Sequence, residues 1–94
     1  MSSMAQDLPI GHLSGSETPV RSSAELGIVI GKQRRRLALK QLDLAGMSNT
    51  GNRFIVDLEN GKPTVQLQKV LDLMDLLGLE VVVRTKASRS APSL

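Results

Sequence analysis

Between residues 41 and 60 the apolar residues fall in two short bursts, and the gap between them limits what the chain can build. Leu44 and Ala45 form the first burst; Ile55 and Leu58 form the second. Each fits one face of a helix of about two turns. Asn49 and Gly51 stand in the gap. Asn tolerates the left-handed conformation that a tight turn needs, and Gly51 is a fair N-cap for whatever follows. Two short helices joined by a three- to four-residue turn are therefore expected, the first over Gln41–Ser48 and the second from Gly51 to about Glu59.

The flanking sequence supplies two more helices. Ser22 followed three residues later by Glu25 is a capping box, so a first helix begins there, with Leu26, Ile30 and Leu37 on its inner side and Val29 and Gln33 beside them. Gly61 and Pro63 stop the third helix. A fourth starts near residues 64–66, carries Leu67, Val70, Leu71, Met74 and Leu77 inward, and ends at Gly78. Leu79 to Arg84 (LEVVVR) reads as a strand, with no second strand in the chain to pair with. Phe54 is the sole aromatic of the 94 residues, so the core must be aliphatic. A chain this short makes one small domain and gains from dimerisation. The expected fold is mainly α, four to five helices plus one C-terminal strand that pairs across a dimer. Residues 1–21, with Pro9, Gly11, Gly15 and Pro19, are expected to be a disordered arm; residues 22–84 the folded domain; residues 85–94 a flexible tail.

Charge narrows the function. The formal net charge is +3, but Lys32, Arg34, Arg35, Arg36 and Lys40 fall within nine residues, and no acid lies between Glu25 and Asp43. Such a cluster is either a surface that meets a polyanion or a solvated helix face. The absence of cysteine removes disulfides, thiolate zinc sites and cysteine nucleophiles. His12 is the one histidine and lies in the arm, and no carboxylate pair or metal cluster stands at ligand spacing. Gly27 to Lys32 (GIVIGK) is one residue short of a P-loop and sits within a helix. The expectation is a protein that is no enzyme, with no catalytic residue, metal or cofactor. No apolar run reaches the length of a membrane span, and the start lacks the features of a signal peptide, so a cytoplasmic protein with no membrane partner is expected.

Two short helices joined this way form the helix-turn-helix unit, whose second helix enters the major groove of DNA. Ala45 must be small where the two helices cross, and Ile55 and Leu58 anchor the second helix. Its outer face holds Gly51, Asn52, Arg53, Val56, Asp57 and Asn60. Arg reads guanine and Asn reads adenine through paired hydrogen bonds.

The stretch KQLDLAGMSNTGNRFIVDLENGK, residues 40–62, resembles without a gap the helix-turn-helix of phage-repressor (Xre-type) regulators. The matching positions are Gln41, Leu44, Ala45, Phe54, Ile55, Leu58, Glu59, Gly61 and Lys62. With the first helix and the segment running to LEVVV, the resemblance covers residues 26–83 and looks like the HipB-like antitoxin subgroup, whose members end in a strand. It implies a phage-repressor-like domain in which Gln41 reaches phosphate or a base edge. Asn52, Arg53 and Asp57 stand at base-reading positions, while Lys40, Asn60 and Lys62 contact the backbone and fix register. It also implies a structural ion pair between Arg34 and Glu59. Three departures are visible. Lys40 replaces the usual threonine, so the second helix loses its side-chain cap. Asn49 replaces the turn glycine. Thr50 stands where valine or isoleucine is common, which loosens packing under the turn. Asp57 has two readings: it accepts from a cytosine amine, or it faces solvent and merely disfavours wrong sequences.

The resemblance implies a repressor. A lone strand leaves its backbone groups unpaired and recruits another chain, so a homodimer through Glu80, Val81, Val82, Val83 and Arg84 is expected, whose two-fold symmetry suits a palindromic double-stranded operator. The resemblance further implies an antitoxin that pairs with a HipA-like serine/threonine kinase toxin and represses their shared operon. The alternative is a stand-alone Xre-type regulator without a toxin.

Overall fold

A computed structural model describes residues 16–86 of the chain. Four helices follow one another within it: α1 (Ser23–Arg36), α2 (Gln41–Ser48), α3 (Asn52–Glu59) and α4 (Leu67–Leu76). Residues 1–15 of the expected arm and 87–94 of the expected tail lie outside the described residues.

The helices start where the sequence provides acceptors for their first amides. At α1 the Ser22 Oγ accepts from the Glu25 N–H at 3.0 Å. The Glu25 carboxylate turns back to the Arg21 N–H at 2.6 Å, one residue earlier than a capping box would place it. At α2 the lysine that replaces the usual threonine has no acceptor to offer. Asp43 partly makes up for it by accepting from the Lys40 N–H at 2.8 Å and by placing a negative charge in the first turn.

All four helices stop in the same way. Ala38, Asn49, Gly61 and Gly78 take left-handed φ values of 60°, 57°, 86° and 77°. At each, two successive amides fold back onto the last turn: Ala38 to Arg35 and Leu39 to Arg34, Asn49 to Gly46 and Thr50 to Ala45, Gly61 to Leu58 and Lys62 to Asp57, Gly78 to Asp75 and Leu79 to Met74. These paired bonds satisfy carbonyls that the end of a helix leaves open. Alanine is the odd member of the set, since a methyl in this conformation costs about 1–2 kcal/mol.

The core among the described residues is Ile30, Leu44, Ala45, Ile55, Leu58, Val70, Leu73, Met74 and Leu77, with Phe54 packed half-buried at its edge. Three expectations about the inner faces need correcting. Leu37 is exposed because α1 ends at Arg36 and Leu37 leaves the helical register. On α4, Leu67 and Leu71 are exposed, whereas Leu73 is fully buried. Leucines surround most of that helix, so periodicity alone admits two registers, and packing against the neighbouring elements selects the stripe Val70, Leu73, Met74, Leu77.

α1 crosses α3 at Gly27. A Cβ built there would lie 2.6 Å from the backbone oxygens of both Leu58 and Glu59, so only glycine fits. This close approach seats α3 on the core.

Within one chain the expected C-terminal strand finds no partner among the described residues. Residues 79–86 carry no strand, and Val81, Val82 and Val83 are exposed, Val83 by 93%. Among the described residues no second segment offers a ladder to complete it. An ion pair of 2.6 Å joins Arg84 Nη1 to Glu17 Oε1 instead.

Candidate nucleic-acid interface

The eight residues of α3 divide by direction. Ile55 and Leu58 are buried, Phe54 and Glu59 face neighbouring elements, and Asn52 and Arg53 are exposed at the helix start. Gly51, just before them, has open space where a side chain would sit. The first turn of α3 thus offers two exposed polar side chains beside a position that carries none.

Glu59 fixes the tilt of α3. Arg34 grips it with a two-pronged contact, Nε to Oε2 at 2.7 Å and Nη2 to Oε1 at 3.0 Å. The third Arg34 nitrogen, Nη1, donates to the Leu39 carbonyl oxygen at 2.8 Å. Gln41 Nε2 also donates to Glu59 Oε1, at 3.0 Å. The charged side chains are only 10% and 8% exposed, a setting in which an ion pair needs every hydrogen bond it can make. One carboxylate therefore ties together α1, the start of α2 and the end of α3, and Arg34 adds the loop after α1. Gln41 has spent one amide hydrogen inside the protein and keeps one for a ligand. Arg34 is withdrawn from the basic cluster, whose Lys32, Arg35, Arg36 and Lys40 remain exposed.

The turn between α2 and α3 is closed by side chains as well as by Asn49. Ser48 Oγ donates to the Leu44 carbonyl oxygen at 2.8 Å and lies 2.8 Å from the Thr50 hydroxyl. Threonine at position 50 thus exchanges apolar packing for a hydrogen bond, a pairing the sequence reading missed although Ser48 and Thr50 stand two residues apart.

Asp57 is not free. Its Oδ1 is 3.4 Å from Arg53 Nε and its Oδ2 is 3.5 Å from Lys62 Nζ. Asn60 is exposed, and Arg35, Gln41 and Asn60 line one shallow cleft with Gly27, Gly31 and Glu59 where α1 meets α3. Arg35 is the addition the structure makes to the interface. Its only signal in the sequence is membership of the basic run. Gly27 and Gly31, which in the sequence resemble part of a phosphate loop, are one helical turn apart on the face of α1 that meets α3. His12 lies outside the described residues.

An anchored helix presented beyond a tight turn, with amide and guanidinium groups at its exposed start, defines a helix-turn-helix protein. No protein-family model matches the sequence. The chain is 39% identical over 70 residues to the uncharacterized HTH-type transcriptional regulator y4mF of Sinorhizobium fredii, covering 74% of this chain and 92% of that protein. Among solved structures it superposes on a chain of the HipA–HipB–O2–O3 complex with a TM-score of 0.68 and 17% identity, over 74% of this chain and 99% of that one. A chain of the HipB–O4 20mer complex gives a TM-score of 0.67 and 17% identity, over 73% and 97%. The chain belongs to the HTH-type transcriptional regulators, and its fold is HipB-like. No helix among the described residues is long and apolar enough to cross a membrane.

Proposed function

We propose that this protein is a sequence-specific repressor that inserts α3 into the major groove, with Asn52 and Arg53 reading base edges. The observation that carries the reading is the division of α3: its apolar residues and Glu59 lock it to the body, while its first turn is left exposed and polar. Lys40, Asn60, Lys62 and the remaining amide hydrogen of Gln41 suit phosphate contacts, which position the helix without specifying sequence.

Two copies pair through Glu80–Arg84, where three consecutive valines are exposed and lack a ladder among the described residues. A strand with unpaired backbone groups recruits another, and a two-fold axis would present two recognition helices to a palindromic operator with half-sites about 34–36 Å apart, or a multiple of that. The HipB-like fold supports an antitoxin role beside a HipA-like kinase, bound away from the DNA face.

Arg53→Ala tests the groove assignment. Duplexes selected by the wild-type protein from a random pool should bind the variant about 1–3 kcal/mol more weakly, with preference relaxed at one base pair per half-site. An unchanged preference in competition would remove Arg53 from the groove. The same variant should still co-purify with the kinase if that surface is separate; loss of both together would place them on one face.

A further inference from the structure

Asp57 is a poor choice for α3 by every local criterion. It lies in the last turn, where the helix dipole disfavours an acid. Its i,i+4 partner is Arg53, so the base precedes the acid, the less favourable order for such a pair. It also stands on the face that would meet phosphate. Yet its side chain is only 22% exposed and each of its two oxygens meets a different cation, Arg53 at 3.4 Å and Lys62 at 3.5 Å. Lys62 is brought there by the backbone: its N–H donates to the Asp57 carbonyl oxygen at 2.9 Å as part of the turn that ends α3. The carboxylate thus bridges the residue that reads bases to a residue positioned to hold the backbone.

We infer that Asp57 is a specificity-determining clamp: it holds Arg53 and Lys62 on itself, so that a random stretch of phosphates must displace a carboxylate to engage either cation. This rests on the DNA-binding reading above and assigns Asp57 a role other than hydrogen bonding to a base. Asp57 meets Arg53 through Nε, which leaves both Nη groups for the two directed acceptors of a matching base pair, so the operator complex keeps the contact that a phosphate must break. Scattered phosphates offer Coulomb attraction alone, and the clamp offsets part of it. The clamp therefore weakens binding to random sequence more than binding to the operator.

The test uses full-length protein and two duplexes of equal length, one selected by the wild type from a random pool and one of scrambled sequence, with affinities measured across a range of KCl concentrations. Asp57→Asn keeps the shape and removes the charge. Arg53 and Lys62 are themselves 86% and 52% exposed, so each contact is weak. The variant should bind the scrambled duplex about three- to fivefold more tightly and the selected duplex within about twofold of wild type, so the specificity ratio falls. The salt slope on scrambled duplex should steepen by about one unit. Because the pair opposes the helix dipole, the melting temperature should hold or rise, a result that a purely structural role for Asp57 would not give. A second variant guards against misfolding: Lys62→Gln combined with Asp57→Asn restores the net charge and should return scrambled-duplex affinity to within about twofold of wild type. An Asp57→Asn protein with the wild-type ratio and slope overturns the clamp and leaves the DNA-binding reading standing. An Asp57→Asn protein that loses the selected duplex while leaving the scrambled one unchanged also overturns it, because Asp57 then reads a base. Failure of folded wild-type protein to enrich any duplex would overturn the DNA-binding reading itself.

Discussion

Replacing Gly27 with alanine adds one methyl at the point where α1 and α3 cross. The new Cβ would sit 2.6 Å from the carbonyl oxygens of Leu58 and Glu59, about 0.8 Å inside the 3.4 Å at which ordinary contact begins. Both obstructing atoms are backbone, so no rotamer change relieves the overlap and the two helices must part. Alanine returns about 1 kcal/mol of helix propensity relative to glycine, and overpacking a rigid contact costs about 1–3 kcal/mol, occasionally more. With rigid atoms on one side the upper end of that range applies, leaving a net loss of about 2 kcal/mol. For a domain of this size that lowers the melting temperature by about 10 °C. Thermal unfolding followed by circular dichroism reads it directly, with Gly46→Ala as the control. Gly46 lies inside α2 with nothing within 4 Å of its would-be Cβ, so that variant should gain about 0.5–1 kcal/mol from propensity alone. A Gly27→Ala protein that melts at or above the wild-type temperature would refute the close crossing, and with it the account of how α3 is seated.

Ala38→Gly should stabilise the protein by about 1 kcal/mol, because glycine adopts the left-handed stop after α1 without a methyl clash; a urea midpoint that does not rise would show that the backbone there is not left-handed in solution. Val82→Pro removes a backbone donor from the segment proposed to pair across the dimer. Sedimentation should then show monomer, with circular dichroism unchanged and operator affinity collapsed; a dimeric variant that binds DNA normally would place the interface elsewhere.

The elements that were legible in the sequence share one property: their signals are local. Ser22, Asn49, Gly51, Gly61 and Gly78 each mark a boundary through chemistry within a few residues of themselves, and the bounds of α2 and α3 follow from them. What the sequence left ambiguous depends on a neighbour. The α4 stripe could not be placed while leucines covered both Leu67–Leu71 and Leu73–Leu77, because only the elements packed against α4 decide between them. Gly27 reads as part of a shortened phosphate loop until α3 lies against it. Ala38 carries no turn signal and is held left-handed by the bonds of Ala38 and Leu39 back to the last turn of α1. The strand-like valines are legible as a pattern, but a ladder requires a second strand, which the described residues do not supply. At the site, the outward positions Asn52, Arg53 and Asp57 could be assigned from periodicity. The partners of Asp57 and the second use of Gln41 could not, since they depend on where Lys62 and Glu59 arrive.

Within α3, the residues that hold the helix and the residues that face outward do not overlap. Phe54, Ile55, Leu58 and Glu59 contact the body, whereas Asn52 and Arg53 contact nothing in the core. Mutations at the outward positions are thus nearly free of folding consequences, and mutations at the inward ones leave the readable surface chemically intact. A gene duplicate of this protein could acquire a new sequence preference by changing a few codons, with no compensating change elsewhere in the chain, while drift in the core would alter abundance before it altered which DNA is bound.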